Sequence, residues 1–211
     1  MKNEPQPHHK TNPHLTLTTI TAKRGYYLTQ ICEDPYIQQM LNNKANDKHY
    51  IYSGHKPIPI KTCEKIYNLL NKLKPQVCVE TGVSSGVTTT YILAALKMNG
   101  SGTLTSIDCQ EGGWLIPEGL KDIWTFKVGY TRDVLPTLLN PIEFFFHDSL
   151  HTYHNMMFEL EWAWKMLAKG GVIIVDNIAT PVSPNNAFWV FATNHHLQPQ
   201  FLSESTGMLK L

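Results

Sequence analysis

The sequence predicts an α/β domain built on one mostly parallel sheet, and three observations point there. From Gln76 onward short apolar runs alternate with helical stretches, the pattern of βαβ units. Four of these runs close on an acid, at Glu80, Asp108, Asp148 and Asp176. A glycine turn, Gly82-Val83-Ser84-Ser85-Gly86, joins the first run to the helix after it. In an open parallel sheet ligands bind at the carboxyl ends of the strands, so these acids and this turn belong to one edge.

Residues 1–57 differ in kind from the rest of the chain. Prolines stand at 5, 7 and 13, and no sustained period appears before Tyr26, so this part reads as an N-terminal extension to a domain spanning 58–211. Within it Asp34 and Pro35 mark a helix start, as N-cap and first helical residue. Tyr26, Tyr27, Ile31, Tyr36, Ile37, Met40 and Leu41 gather its apolar surface. A lid over the substrate side, a homodimer contact and packing on its own domain are the three expectations for that surface. Ile60, Cys63, Ile66, Tyr67, Leu70 and Leu73 then repeat at helical spacing up to Pro75.

The expected strands are Val77 to Glu80, Thr103 to Asp108, Thr125 to Val128, Glu143 to Asp148 and Val172 to Asp176. Crossover helices are expected to begin near Thr88, Thr131 and Tyr153. The last of these is expected to run from Tyr153 to Lys169 and end at Gly170-Gly171, with Met157, Leu160, Trp164 and Leu167 inward and Glu159 and Glu161 facing away. A helix over Asn185 to Leu197 and a closing hairpin of Gln200 to Glu204 with Gly207 to Leu211 complete a sheet of about seven strands.

Composition excludes several classes. Hydrophobic residues make up 42% of the 211, too many for a disordered chain. The formal net charge is +1 and no basic run tracks a phosphate backbone, so nucleic acid is not an expected partner. No apolar run reaches membrane-spanning length and the first residues are too polar for a signal peptide, so no membrane partner and a cytoplasmic address are expected. Cys32, Cys63, Cys78 and Cys109 show no C-x-x-C spacing and are expected as reduced thiols.

The glycine turn supports three ligand chemistries besides a plain tight loop. It is one glycine short of the dinucleotide pattern G-x-G-x-x-G. It also satisfies G-x-S-x-G, and Ser84, Asp176 and His195 follow in serine-hydrolase order, although the turn comes after the first strand and no oxyanion segment precedes it. Thirdly, Glu80-Thr81-Gly82-Val83-Ser84-Ser85-Gly86 resembles the first motif of the class I S-adenosylmethionine-dependent methyltransferases, E/D-x-G-x-x-x-G. The resemblance implies a Rossmann-like fold with helices on both faces. It also implies a cofactor site in which Glu80, Gly82, Ser84, Ser85 and Gly86 surround the methionine moiety. Asp108, 22 positions after Gly86, suits both ribose hydroxyls of such a cofactor, as it would those of a dinucleotide. The segment Lys127 to Pro136 resembles the adenine-lining segment of the family, which brings in Tyr130 and Thr131, and Asp148 is expected at the cofactor as well.

Asp148, Asp176 and Asn177 are three hard oxygen donors at neighbouring strand ends, suited to magnesium or calcium rather than zinc, and equally readable as caps and turn residues. They resemble the metal ligands of the catechol and caffeoyl-coenzyme A O-methyltransferases. The runs D-x-x-H-x-Y over 148–153 and L-x-x-G-G over 167–171 are similar to bacterial macrolide-sugar and cephalosporin-tailoring O-methyltransferases. His151 stands where the catechol type carries a lysine. The implied chemistry is methyl transfer from S-adenosylmethionine to the oxygen of a small hydroxylated molecule, with a divalent metal and with Asp148 and His151 catalytic. In that reading an imidazole removes the hydroxyl proton. His147 and His154 are expected to be structural. A serine hydrolase and a catalytically silent binding protein are the rival functions.

Overall fold

The computed structural model describes residues 31, 33–47, 58–178 and 186–211. Seven strands form one sheet in the order β3-β2-β1-β4-β5-β7-β6. They are β1 (Val77–Thr81), β2 (Thr103–Asp108), β3 (Trp124–Val128), β4 (Ile142–His147), β5 (Leu167–Val175), β6 (Gln200–Phe201) and β7 (Gly207–Lys210). β1 to β5 pair in parallel, and β7 runs antiparallel to both β5 and β6. Strand order reverses between β1 and β4, which makes their carboxyl ends the crevice where such a sheet takes a ligand.

The strands are apolar on both sides because helices cover both faces. In β4, Phe144 and Phe146 enter one core while Phe145 enters the other, as period-2 alternation requires. The first core is closed by α1 (Pro35–Asn46), α2 (Ile60–Leu73) and α3 (Val87–Asn99). The second is closed by α5 (Tyr153–Met166) and α6 (Ala187–Asn194), with the short α4 (Thr131–Val134) preceding them in the chain. Among the described residues no helix is long and apolar enough to cross a membrane.

The N-cap expected at Asp34 is present, its Oδ1 accepting from the amides of Tyr36 and Ile37 at 3.0 and 3.1 Å. Yet α1 is no loose extension. Ile37 and Met40 are buried in the same core as Ile66, Leu70, Leu93 and Phe144, and Asp34 Oδ2 accepts from the Tyr67 hydroxyl at 3.4 Å. The described part of the extension therefore packs on its own domain, while Tyr26, Tyr27 and residues 48–57 lie outside the described residues. Met40→Ala is expected to cost roughly 2 to 5 kcal/mol, the range for emptying a buried methionine site. A shift of the urea midpoint corresponding to less than about 1 kcal/mol would mean that α1 is not part of this core.

Three local expectations need correction. α4 is one turn long rather than a full crossover helix, because Pro136 cannot continue it and the chain passes into a 3₁₀ turn at Leu135–Thr137. α5 stops at Met166, not at the glycine pair, because Leu167 already pairs with Ile142 as a strand residue. Gly170, at φ +83°, then sits in an irregularity of the β4–β5 ladder. Finally, the buried stripe of α5 is Met156, Glu159, Leu160 and Ala163, so Glu159 faces inward.

Candidate functional site

β1, β2, β4 and α4 open onto a cavity of about 680 Å³ at the carboxyl edge of the sheet. Of the residues expected at a cofactor, Gly82, Ser84, Asp108, Tyr130, Thr131 and Asp148 line it. Glu80, Ser85 and Gly86 do not, and the glycine turn explains why. The loop after β2 lies across the turn, with Gly113 N donating to Ser84 O at 2.8 Å and Leu115 N to Ser85 O at 3.0 Å. A Cβ on Gly86 would meet Ile116 Cγ1 at 2.6 Å. A Cβ on Gly82, at φ +84°, would overlap the Asp148 carbonyl. Both glycines thus let other backbone segments close on the turn, and Gly82 also faces the cavity.

Glu80 is fully buried beneath the turn, where Ser106 Oγ donates to its Oε2 at 2.6 Å and Trp124 Nε1 donates to Ser106 Oγ at 2.9 Å. Burial pushes its carboxyl up to about 8, the Ser106 and Thr89 hydroxyls offsetting this only in part and the charges of Asp148 and Asp108 adding to it. Asp108 holds the turn from the cavity side. Its Oδ2 accepts from the amides of Val83 at 2.8 Å and Ser84 at 3.1 Å, and its Oδ1 from Gln110 N at 3.2 Å. Tyr130 presents its ring at the rim, 70% exposed.

Asp148 follows β4 directly and is recessed. Burial raises its carboxyl, the contact with His151 pulls it back and the charge of Asp176 raises it again, for a net upward shift. His151 Nε2 lies 3.5 Å from Asp148 Oδ1, and Asn177 Nδ2 lies 3.2 and 3.3 Å from the two ring nitrogens. Asp148, His151 and Asn177 are therefore brought together. Asp176 has a contact of its own, its Oδ1 accepting from the Thr206 hydroxyl of the β6–β7 connection at 2.7 Å. Among the described residues no three His, Cys, Asp or Glu side chains come close enough to hold a metal ion. The expected magnesium donors stand at one sheet edge, with Asp176 Oδ1 engaged by Thr206 and the Asn177 amide against the His151 ring.

The hydrolase constellation is not assembled either. Ser84 does adopt a left-handed backbone, φ +49°. His195, however, faces Glu161 at 3.3 Å and lies against Phe191, 4.2 Å between ring centroids, while Asp176 is committed to Thr206. Cys63 and Cys78 are buried free thiols, the former pushed up to about 12 by burial, while Cys109 is an exposed free thiol at the cavity; Cys32 is outside the described residues.

Glu159 is the functional candidate that sequence reasoning missed. It is fully buried, and burial alone would raise its carboxyl, but hydrogen bonds from His147, Thr81 and Ser149 together with the His147 charge outweigh this and hold it below the ordinary range. These three donors and Asn155 converge on one helix position and leave no signal in apolar periodicity.

A family model described as a methyltransferase domain matches residues 79–178, from β1 to just beyond Asn177. No curated protein matches the sequence. Among solved structures, the O-methyltransferase TomG from Streptomyces achromogenes, in complex with SAM, is 17% identical over 90% of this chain and 95% of that one, with a TM-score of 0.64. The cofactor-bound Rv0187 from MTB is 16% identical over 90% and 95%, with a TM-score of 0.65. The O-methyltransferase from Bacillus cereus in complex with SAH is 17% identical over 93% and 100%, with a TM-score of 0.57. Residues 79–178 thus match a methyltransferase domain, and the chain shares the Rossmann-like fold of these solved structures.

Proposed function

We propose that this methyltransferase domain takes its methyl group from S-adenosylmethionine and delivers it to the oxygen of a small hydroxylated molecule. The observation that carries the reading is the cavity at the β1–β4 switch point, framed by Gly82, Asp108, Tyr130 and Asp148. In this reading the Asp108 carboxylate, already preorganised by two turn amides, accepts the ribose hydroxyls. Tyr130 and Thr131 flank the adenine, and Gly82 and Ser84 face the methionine moiety. Glu80, Ser85 and Gly86 support the turn from beneath without touching the cofactor.

Methyl transfer from a sulfonium is an in-line displacement, so the protein's tasks are to hold the acceptor oxygen opposite the sulfur and to remove its proton. His151, just beyond Asp148, is the proposed base. Asp148 Oδ1 faces Nε2 and orients the imidazole, leaving Nδ1 to accept the hydroxyl proton once the Asn177 amide gives way to the acceptor.

Metal assistance is a second reading, supported by the presence of Asp148, Asp176 and Asn177 at one sheet edge. Asp176 Oδ1 accepts from Thr206, an outer contact that leaves Oδ2 to serve as a ligand. Turnover unchanged in EDTA would reject it, whereas loss restored by magnesium would support it.

The principal test is calorimetry followed by a product screen. S-adenosylmethionine and S-adenosylhomocysteine should bind in the micromolar range, on the order of −8 kcal/mol. A cell extract supplied with methyl-labelled cofactor should yield a labelled small molecule. Saturable NAD binding with no heat from either sulfur compound would reject the reading. Asp108→Ala should weaken the cofactor by roughly 1.5 to 3 kcal/mol, the worth of hydrogen bonds to a charged group. An unchanged affinity would remove Asp108 from the ribose.

A further inference from the structure

Four hydrogen-bond donors converge on the buried Glu159 carboxylate, which the proposed methyl transfer does not use. Thr81 Oγ1 at 2.6 Å and His147 Nδ1 at 2.7 Å meet Oε2, while Ser149 Oγ at 2.7 Å and Asn155 Nδ2 at 2.8 Å meet Oε1. Each donor adjoins a group of the candidate site. Thr81 precedes Gly82, His147 precedes Asp148, and Ser149 follows it. Asn155 lines the cavity, and its Oδ1 accepts from the Thr131 hydroxyl at 3.3 Å.

These contacts straddle the tightest crossing in the site. Asp148 N donates to Thr81 O at 2.8 Å, and the Asp148 carbonyl fills the space a Cβ on Gly82 would need. An ionised carboxylate offers acceptors alone, so it takes four donors at once; a carboxamide would turn its own NH₂ toward at least one of them. The carboxylate also holds the His147 ring through Nδ1, while Nε2 is buried without a hydrogen-bond partner among the described residues. That ring meets the His151 ring edge-on, with centroids 5.4 Å apart.

We infer that Glu159 is a positioning residue of the cofactor site, whose carboxylate locks the Thr81–Gly82 turn to the His147–Ser149 loop and holds Asn155 against Thr131 in the cavity wall. The inference rests on the proposed binding of S-adenosylmethionine in this cavity. It separates Glu159 from an ordinary buried charge, because disturbing the lock changes affinity for the nucleoside ligand in a protein that is still folded.

The test uses Thr81, which is fully buried and does not line the cavity, so it acts on the site only through its neighbours. Thr81→Val keeps the shape and removes one donor to Glu159, whereas Thr81→Ser keeps the donor. Affinity for S-adenosylhomocysteine is measured by calorimetry, well below each variant's thermal midpoint, for the wild type, both Thr81 variants and Glu159→Gln. The valine variant should bind about tenfold more weakly, the order expected for losing one hydrogen bond to a charged group, and the serine variant should bind like the wild type. Glu159→Gln should lose more, with the His147 ring ¹⁵N resonances displaced from their wild-type positions. Should Glu159→Gln fail to fold, the Thr81 pair decides alone. Equal affinity in the valine variant and the wild type overturns the inference, since a group that merely stabilised the fold would lower the midpoint and leave affinity alone. No binding by the wild type overturns the cofactor reading, and this inference with it.

Discussion

Replacing His151 with alanine is expected to lower the methyl-transfer rate roughly 10²- to 10⁴-fold, the usual contribution of a positioned general base, while leaving S-adenosylhomocysteine affinity within about a factor of two. The asymmetry follows from where the side chain lies. His151 does not line the cavity proposed for the cofactor but stands beyond Asp148, against Asn177. Its loss therefore removes an interaction made during proton removal and spares ground-state binding of the nucleoside. Single-turnover kinetics with saturating cofactor separate the two quantities. A normal rate would move the base elsewhere, and a parallel loss of affinity would make His151 a structural support of the Asp148 loop. Added imidazole should restore part of the rate, because the vacated space admits a ring of the same chemistry.

Glu80 gives the second large effect, in stability rather than rate. Its folded carboxyl titrates at about 8 against 4.5 for the free group. Below the free value both states are protonated and there is no penalty. As pH rises from 4.5 to 8 the unfolded chain ionises while the fold keeps the proton, and the fold loses about 1.4 kcal/mol per pH unit. The loss reaches on the order of 5 kcal/mol near pH 8 and stays constant above it. Glu80→Gln keeps a neutral polar head near Ser106 and has no such penalty. Its stability should approach that of the wild type near pH 4.5 and exceed it increasingly toward pH 9, as read from urea midpoints at about pH 5, 7 and 9. Parallel curves for the two proteins would show that Glu80 is ionised in the fold.

The legible parts of the molecule were those where local chemistry and global need coincide. β2 runs from Thr103 to Asp108 as a short run that closes on an acid, and Asp34 with Pro35 starts a helix because capping is satisfied within three residues. The parallel order was legible because strand, turn and helix lengths leave few other connections. Of the candidate site, Gly82, Ser84, Asp108, Tyr130, Thr131 and Asp148 meet at one cavity, since each stands at or just after the end of a strand that had to run in the same direction. The errors at Leu167 and Glu159 share a cause. Both residues are placed by partners distant in sequence, Ile142 for one and Thr81, His147 and Ser149 for the other, and helical periodicity alone assigns them by their neighbours in the chain.

The sequence by itself determined the α/β class, the sheet edge at which the acids and the glycine turn gather, and the residues that face one another across it. These follow from period, turn chemistry and strand direction, which are properties of a few adjacent residues. Only the tertiary structure decided what each acid does there. Asp108 caps the glycine turn, Glu80 is buried as a carboxyl that keeps its proton to about pH 8, Asp176 is drawn to Thr206, and Glu159 gathers four donors. The physical reason is that a carboxylate's role is set by its desolvation and by the donors that reach it, and those donors come from segments as far apart as Thr81 and Glu159, or Asp176 and Thr206.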